Sequence, residues 1–156
     1  MSPEDRWLVV VHIPAGLVAV TAGVTAMLVS KGSRLHRRAG LTYLAALSVT
    51  CLSGIGLAIT RWPRFPHLLA LGLAAALLAS VGYAARRRAS PVVHLLGMGS
   101  SYTAMLTAFY VDNGPRLPIW RLVPSPAFWI LPSLVALPLL LRAVSRYSHS
   151  ARNSAK

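Results

Sequence analysis

Acidic residues are almost absent from this chain. Only three of its 156 residues are Asp or Glu, and charged residues of both signs make up 12% of the sequence, about half the usual share in a soluble domain. Hydrophobic residues make up 55% of the chain, and the mean hydropathy is +0.58. A soluble domain of this size could not surround several uncharged runs of about 20 residues with polar elements. The composition therefore predicts an all-α, polytopic membrane protein.

Cysteine is also scarce, because Cys51 is the only one. A single thiol excludes an intramolecular disulfide and a cysteine-based metal cluster. The sequence has no nucleophile-elbow or zinc-protease motif, so it does not indicate an enzyme and predicts no catalytic residues. The net charge of +13 would favour a nucleic acid partner in a soluble protein. Here the basic residues stand in short clusters between apolar runs, which is typical of topology determinants, so no nucleic acid partner is expected.

Five apolar runs predict a bundle of five transmembrane helices. Each is long enough to cross, or nearly cross, the ~30 Å hydrocarbon core of a bilayer. They lie at residues 7–30, 41–60, 67–85, 91–112 and 126–141, in a single transmembrane domain over residues 1–145 that a basic polar tail follows at 146–156. The last run is the shortest and contains Pro132 and Pro138, so an alternative with four spans would lay it on the membrane surface.

The orientation follows from the distribution of Lys and Arg over the connecting segments. Eleven of them lie on the side that holds the loops near residues 31–38 and 86–88 and the C-terminal tail, and five lie on the other side, with all three acidic residues. By the positive-inside rule the first side is cytoplasmic, which places the N-terminus outside and the C-terminus inside. A chain with four spans would leave the basic tail outside, against this rule.

The fourth run carries the most polar chemistry. At about 100° per residue, a helix would place five of its polar or polarisable side chains within roughly 60° of one another, namely His94, Met98, Ser101, Met105 and Asp112. This polar face, which Tyr102 adjoins, should look into protein, because an ionisable group at membrane depth is costly. In the first run, His12 shares a helix face with small residues such as Gly16 and Ala19, so we expect it to face a neighbouring helix.

Four short motifs stand in order along the chain: HIPAG at 12–16, LHRRAGLTY at 35–43, HLLGMGSSY at 94–102 and AFYVDNGPRLPIW at 108–120. As a set they resemble the family of small bacterial polytopic membrane proteins filed as domain of unknown function 2306. The resemblance implies a helical protein of the bacterial inner (plasma) membrane and leaves the activity open. The positions that match recurrent residues of the family are His12, His36, Arg37, Gly40, Tyr43, His94, Met98, Tyr102, Asp112 and Asn113.

The predicted orientation sorts the polar residues into an outer and an inner group. The outer group is His12, His67, Asp112 and Asn113. Here His12 either bonds a hydroxyl or carbonyl group of the next helix, or forms with Asp112 and His67 a proton-exchanging pair or a divalent-metal site. The inner group is His36, Arg37, Arg38, Tyr43 and His94. It is either a solvated basic loop or, with Arg34, a site for an anionic lipid or phosphate.

Haem b is the other cofactor that the histidines suggest, since a site between membrane helices needs only two imidazoles at equal depth. Either His36 with His94 or His12 with His67 would have to supply them. The sequence thus leaves three hypotheses: a proton- or metal-coupled transport component or accessory subunit with a polar intramembrane seam, a haem-binding redox protein, and a protein that binds anionic lipid.

Overall fold

The computed structural model describes residues 3–61 and 63–153, and the described chain is helical, without strands. Its five α-helices are α1 (Pro3–Leu28), α2 (Arg34–Thr60), α3 (Pro66–Arg87), α4 (Pro91–Asn113) and α5 (Ala127–Asn153), with short 3-10 helices at Gly114–Arg116 and Trp120–Leu122. Each α-helix coincides largely with a segment long and apolar enough to cross a membrane, namely Asp5–Leu28, Arg34–Thr60, Pro66–Arg87, Pro91–Arg116 and Ala127–Tyr147. The prediction of five spans in an all-α membrane protein is confirmed.

Helix α2 begins before the apolar run that predicted it. It starts at Arg34, because Ser33 caps it: the Ser33 side chain accepts a hydrogen bond of 3.0 Å from the backbone N–H of His36. A serine in this position satisfies one of the donors that the first helical turn leaves unpaired. The basic residues up to Arg38, expected in a loop, therefore form the first turns of a helix.

Helix α5 continues well beyond the predicted end of the fifth span. Pro132 and Pro138 lie inside it, although each removes one backbone donor, and the helix runs on to Asn153 because residues 142–153 contain no proline or glycine. Residues 146–153, expected as a polar tail, are thus helical, and residues 154–156 lie outside the described part of the chain.

The chain divides into two compact units, Met1–Ala76 and Leu77–Lys156, whose boundary falls within α3, and the single domain expected from the sequence stays a prediction. In the first unit, α1 and α2 pack as an antiparallel pair. Small side chains dominate their contact: Ala19 is completely buried, and Ala22, Ala39 and Ala46 are each 8% exposed. Small residues allow two membrane helices to approach closely and gain dispersion energy.

The second unit contains the end of α3 with α4 and α5. Helices α3 and α4 touch through glycine: a Cβ atom on Gly97 would lie 2.7 Å from the Gly82 Cα atom, so only glycine permits this approach. At the other end of α4, the Phe128 side chain of α5 is 1% exposed and covers Gly114. Within α4 the buried residues include Ser101 and Met105 of the predicted polar face and the adjoining Tyr102, whereas His94, Met98 and Asp112 are partly exposed, so the polar face as a whole stays a prediction.

Candidate functional site

A buried carboxylate lies at one end of the α1–α2 pair. The Asp5 side chain is 12% exposed, and its Oδ2 atom lies 3.6 Å from Nε of Arg61, which directly follows α2. The Thr60 hydroxyl lies 2.8 Å from Oδ1 of Asp5, and because a carboxylate only accepts, this hydroxyl donates to it. A charge this far from water must be paired and hydrogen-bonded to be tolerated, and Thr60 and Arg61 supply both conditions.

His12 occupies the same interface deeper in the helix pair. Its Nδ1 atom lies 3.0 Å from the Ser53 hydroxyl oxygen, and that hydroxyl lies 2.7 Å from the Val49 carbonyl oxygen. Because a carbonyl only accepts, the Ser53 proton points to Val49 and the Ser53 oxygen accepts from His12. We therefore assign a proton to Nδ1 of His12. The edge of the ring is fitted closely, since a Cβ atom on Gly54 would lie 3.4 Å from Cε1 of His12.

These contacts belong to one register of α1 against α2. We call the four residues that form them, Asp5, His12, Ser53 and Thr60, the α1–α2 seam. Asp5 faces Thr60 and His12 faces Ser53, so the residue numbers of both pairs add to 65. Positions seven residues apart return to nearly the same face of a helix, which is the repeat of left-handed helix packing. The seam therefore carries two polar levels, about 10 Å apart by the rise of the helix.

Basic groups cover the other end of α1. The Nδ1 atom of His36 lies 2.9 Å from the Ala26 carbonyl oxygen, and since that oxygen only accepts, His36 donates to it. The Lys31 ammonium group donates to the same carbonyl at 3.0 Å and to that of Met27. Donors and positive charge at a C-terminus satisfy its unpaired carbonyls and complement the helix dipole. Four residues of the predicted inner site lie in the first unit besides His36. Arg34, Arg37 and Arg38 are exposed, whereas Tyr43 is buried, with 2% exposure.

His94 holds α4 against α3 in the second unit. Its Nδ1 atom lies 2.8 Å from the carbonyl oxygen of Gly82, so the imidazole donates to the backbone of α3. The Met98 side chain packs against the same glycine, where an added Cβ atom would meet Cγ of Met98 at 3.0 Å. A carbonyl that binds one ring nitrogen also orients histidines that ligate metals through the other. The geometry therefore fits a packing histidine and a ligand alike, and haem binding stays a prediction.

The predicted outer group is spread over the two units. His67, half-buried, lies in the first turn of α3 with its ring centroid 6.4 Å from that of Phe65. Asp112 and Asn113 end α4 in the second unit, where the Asn113 amide donates to the Phe109 carbonyl at 3.1 Å. Within each unit, the described residues include no group of three or more His, Cys, Asp or Glu that could hold a metal ion. The outer site that joins residues of both units stays a prediction.

Sequence reasoning missed Asp5, Ser53 and Thr60. Asp5 precedes the apolar run and was counted among the residues outside the membrane, while Ser53 and Thr60 lie in a run that was considered only for its length. One signal was available, because Asp5 and His12, like Ser53 and Thr60, are separated by seven residues. Antiparallel pairing of two helices brings such repeats together.

A family model described as "Predicted membrane protein (DUF2306)" matches residues 9–142. The chain belongs to this family. The match covers most of the chain and all four motifs that carried the resemblance in the sequence, so that resemblance is confirmed. No curated protein and no solved structure has significant similarity to the chain. Family membership and five apolar helices together identify a multi-pass membrane protein of the DUF2306 family.

Proposed function

We propose that this member of the DUF2306 family is a component of the bacterial plasma membrane that exchanges protons at His12, in a transport or accessory role. The observation that supports the proposal most directly is the hydrogen bond of 3.0 Å between His12 and Ser53 inside a pair of candidate membrane spans. Histidine is the side chain whose charge changes near neutral pH. An ionisable group within a membrane segment is energetically costly, so it is rare there and is a functional candidate where it occurs.

The seam allows His12 to change charge without moving. A neutral imidazole with its proton on Nδ1 donates to Ser53 and carries its basic lone pair on Nε2, and a protonated imidazole still donates from Nδ1. The bond to Ser53 therefore serves both protonation states, and Nε2 is the ring nitrogen that would take up the second proton.

The buried Asp5 carboxylate belongs to the same seam. It lies seven residues from His12 on α1, about 10 Å along the helix, and forms the second polar level of the seam. The Arg61 guanidinium, 3.6 Å from this carboxylate, pairs with its charge, so the two groups together set the charge at this end of the seam. The excess of basic residues on the opposite side of the membrane favours an orientation with this end of the seam outside the cell.

The direct test is an NMR titration of the full-length protein in lipid bilayers, with isotope-labelled histidine. The signal that disappears in His12→Gln belongs to His12, and we expect it to titrate reversibly between about pH 5 and pH 8. Ser53→Ala removes the acceptor of Nδ1 and should shift that titration. Ser48→Ala is the matched control, because the exposed Ser48 hydroxyl bonds only within its own helix, to the Leu44 carbonyl at 2.9 Å.

Proton flux into vesicles is the functional measurement. With a pH-sensitive dye inside, vesicles that contain the wild-type protein should equilibrate an imposed pH gradient faster than protein-free vesicles, and His12→Gln should return the rate to that of the lipid alone. A His12 signal that stays constant over the whole pH range, or a titration that Ser53→Ala and Ser48→Ala change equally, would contradict the proposal.

A further inference from the structure

Three consecutive arginines end α3, and two of them contact the same aromatic ring. The guanidinium carbon of Arg86 lies 4.8 Å from the centroid of the Tyr83 ring, and that of Arg87 lies 5.3 Å from it. Arg87 also points Nη2 at the Tyr83 hydroxyl oxygen, at 3.4 Å. A cation within about 6 Å of a ring centroid is attracted by the negative face of the ring. Tyr83 therefore holds two positive charges close together.

An anion would balance this pair of charges, and the second unit has no acidic side chain close to it in the sequence. The whole sequence has three acidic residues, and the one in the second unit is Asp112. Asp112 lies near the end of α4, whereas α4 begins at Pro91 just after the arginines. The rise of a helix puts about 30 Å between those two ends, which exceeds the Debye length at physiological ionic strength. Within the second unit, Arg86 and Arg87 therefore have no acidic side chain that could serve as their counterion.

The position of the pair identifies the kind of anion. Arg87 is the last residue of a candidate membrane span, so the guanidinium groups lie at the level of the lipid headgroups, where Tyr is also enriched. Guanidinium groups bind phosphate oxygens through two parallel hydrogen bonds. We infer that Tyr83, Arg86 and Arg87 form a binding site for the phosphate group of an anionic phospholipid. By the positive-inside rule this site faces the cytoplasmic leaflet, which carries anionic lipid.

This site differs from the one that the sequence suggested at Arg34, Arg37 and Arg38. Binding through long, mobile side chains loses conformational entropy when the lipid orders them. The contacts with Tyr83 order Arg86 and Arg87 before any lipid arrives, so a phosphate at this site meets a more rigid pair of donors. The inference does not depend on the proposal for His12, which concerns the other unit.

The test is native mass spectrometry of the full-length protein, delipidated in detergent and then titrated with phosphatidylglycerol or phosphatidylcholine. We expect a preference for phosphatidylglycerol. Arg86→Gln and Tyr83→Leu should each weaken it roughly fivefold, the effect of about one cation–ring contact. Tyr83→Phe keeps the ring and should bind nearly as well as the wild type. Arg88→Gln is the control of equal charge, because Arg88 is exposed and stands outside the two ring contacts.

Three results would overturn the inference. Equal losses in Arg86→Gln and Arg88→Gln would mean that net charge alone attracts the lipid. Unchanged binding in Tyr83→Leu would remove the ring from the site. Complete displacement of the lipid by inorganic phosphate, with no preference between the two lipids, would show a site for the free ion. Should Tyr83→Leu fail to elute as a single species, the comparison of Arg86→Gln with Arg88→Gln still decides the matter.

Discussion

The turn between α3 and α4 contains one alanine in an unusual backbone conformation. Ala89 has a φ of 51°, in the left-handed region that favours glycine. The backbone N–H of Ser90 bonds the Ala85 carbonyl at 3.0 Å, which is the long hydrogen bond that closes a helix when the residue before it is left-handed. The turn brings α4 back along α3 within three residues, but the Cβ atom of Ala89 strains the left-handed backbone conformation.

Replacing this alanine should stabilise the protein. Ala89→Gly removes the strain of the left-handed conformation, which costs about 1–2 kcal/mol. Glycine also raises the conformational entropy of the unfolded chain, which offsets part of this gain, so the free energy of unfolding should rise by about 0.5–1 kcal/mol. The midpoint of unfolding by SDS in mixed micelles measures it. Ala84→Gly is the matched control: Ala84 is an exposed residue inside α3, where the same change should cost about 1 kcal/mol. A loss of stability in both variants would refute the strain at Ala89.

The residues of the seam show how far single positions could be predicted. The small residues around His12 correctly predicted that it faces another helix, and the expected hydroxyl partner is Ser53. Tyr43, which the sequence analysis assigned to the inner polar group, is 2% exposed. A tyrosine next to an apolar run can pack inward or outward, and hydropathy does not distinguish the two. Asp5 was unpredictable for a related reason: the length of an apolar run says nothing of the helical turn that precedes it.

At the scale of whole elements, helices were predictable and their ends were not. Uncharged runs long enough to span a bilayer leave the backbone one way to satisfy its polar groups, which is a helix. The ends depend on local chemistry, such as the Ser33 cap that starts α2 early. Pro138 does not end α5, since one missing backbone donor costs less than the loss of a whole span.

The register of α1 against α2 can be tested by disulfide cross-linking. The register that pairs Asp5 with Thr60 and His12 with Ser53 predicts a third pair seven residues further on, Ala19 opposite Ala46. Both alanines are buried. With the native cysteine removed by Cys51→Ala, Ala19→Cys combined with Ala46→Cys should form a disulfide under mild oxidation, because facing small residues fall within the short Cα separation that a disulfide needs. A shift in electrophoretic mobility that a reductant reverses measures it.

Ala19→Cys with Val49→Cys is the matched pair for this experiment. Val49 is 41% exposed and lies about 4.5 Å further along α2 than Ala46, so in the register of the seam it stands opposite Gly16 instead of Ala19. This pair should stay reduced. Efficient cross-linking of the Val49 pair, with little at Ala46, would mean that the two helices meet in another register and that His12 and Ser53 do not face each other.

For the whole molecule, composition determined the class of protein and left the activity open. A chain with 12% charged residues and five apolar runs has few alternatives to crossing a membrane several times. Chemistry depends on which polar residues meet, and that depends on register and on backbone contacts such as the one between Gly82 and Gly97. Neither is visible in hydropathy, so the seam and the arginine pair emerged only from the structure.

The orientation in the membrane governs both proposals, and two serines can report it. Ser30, between α1 and α2, and Ser125, before α5, are both exposed. In a Cys51→Ala background, Ser125→Cys should react with a membrane-impermeant maleimide on intact cells, and Ser30→Cys only after lysis. The predicted topology puts eleven of the sixteen basic residues on the side of Ser30, and the positive-inside rule predicts that this side is cytoplasmic. The reverse pattern would exchange the two sides. His12 would then exchange protons with the cytoplasm, and Arg86 and Arg87 would meet the outer leaflet, where the attraction to anionic lipid would be weaker.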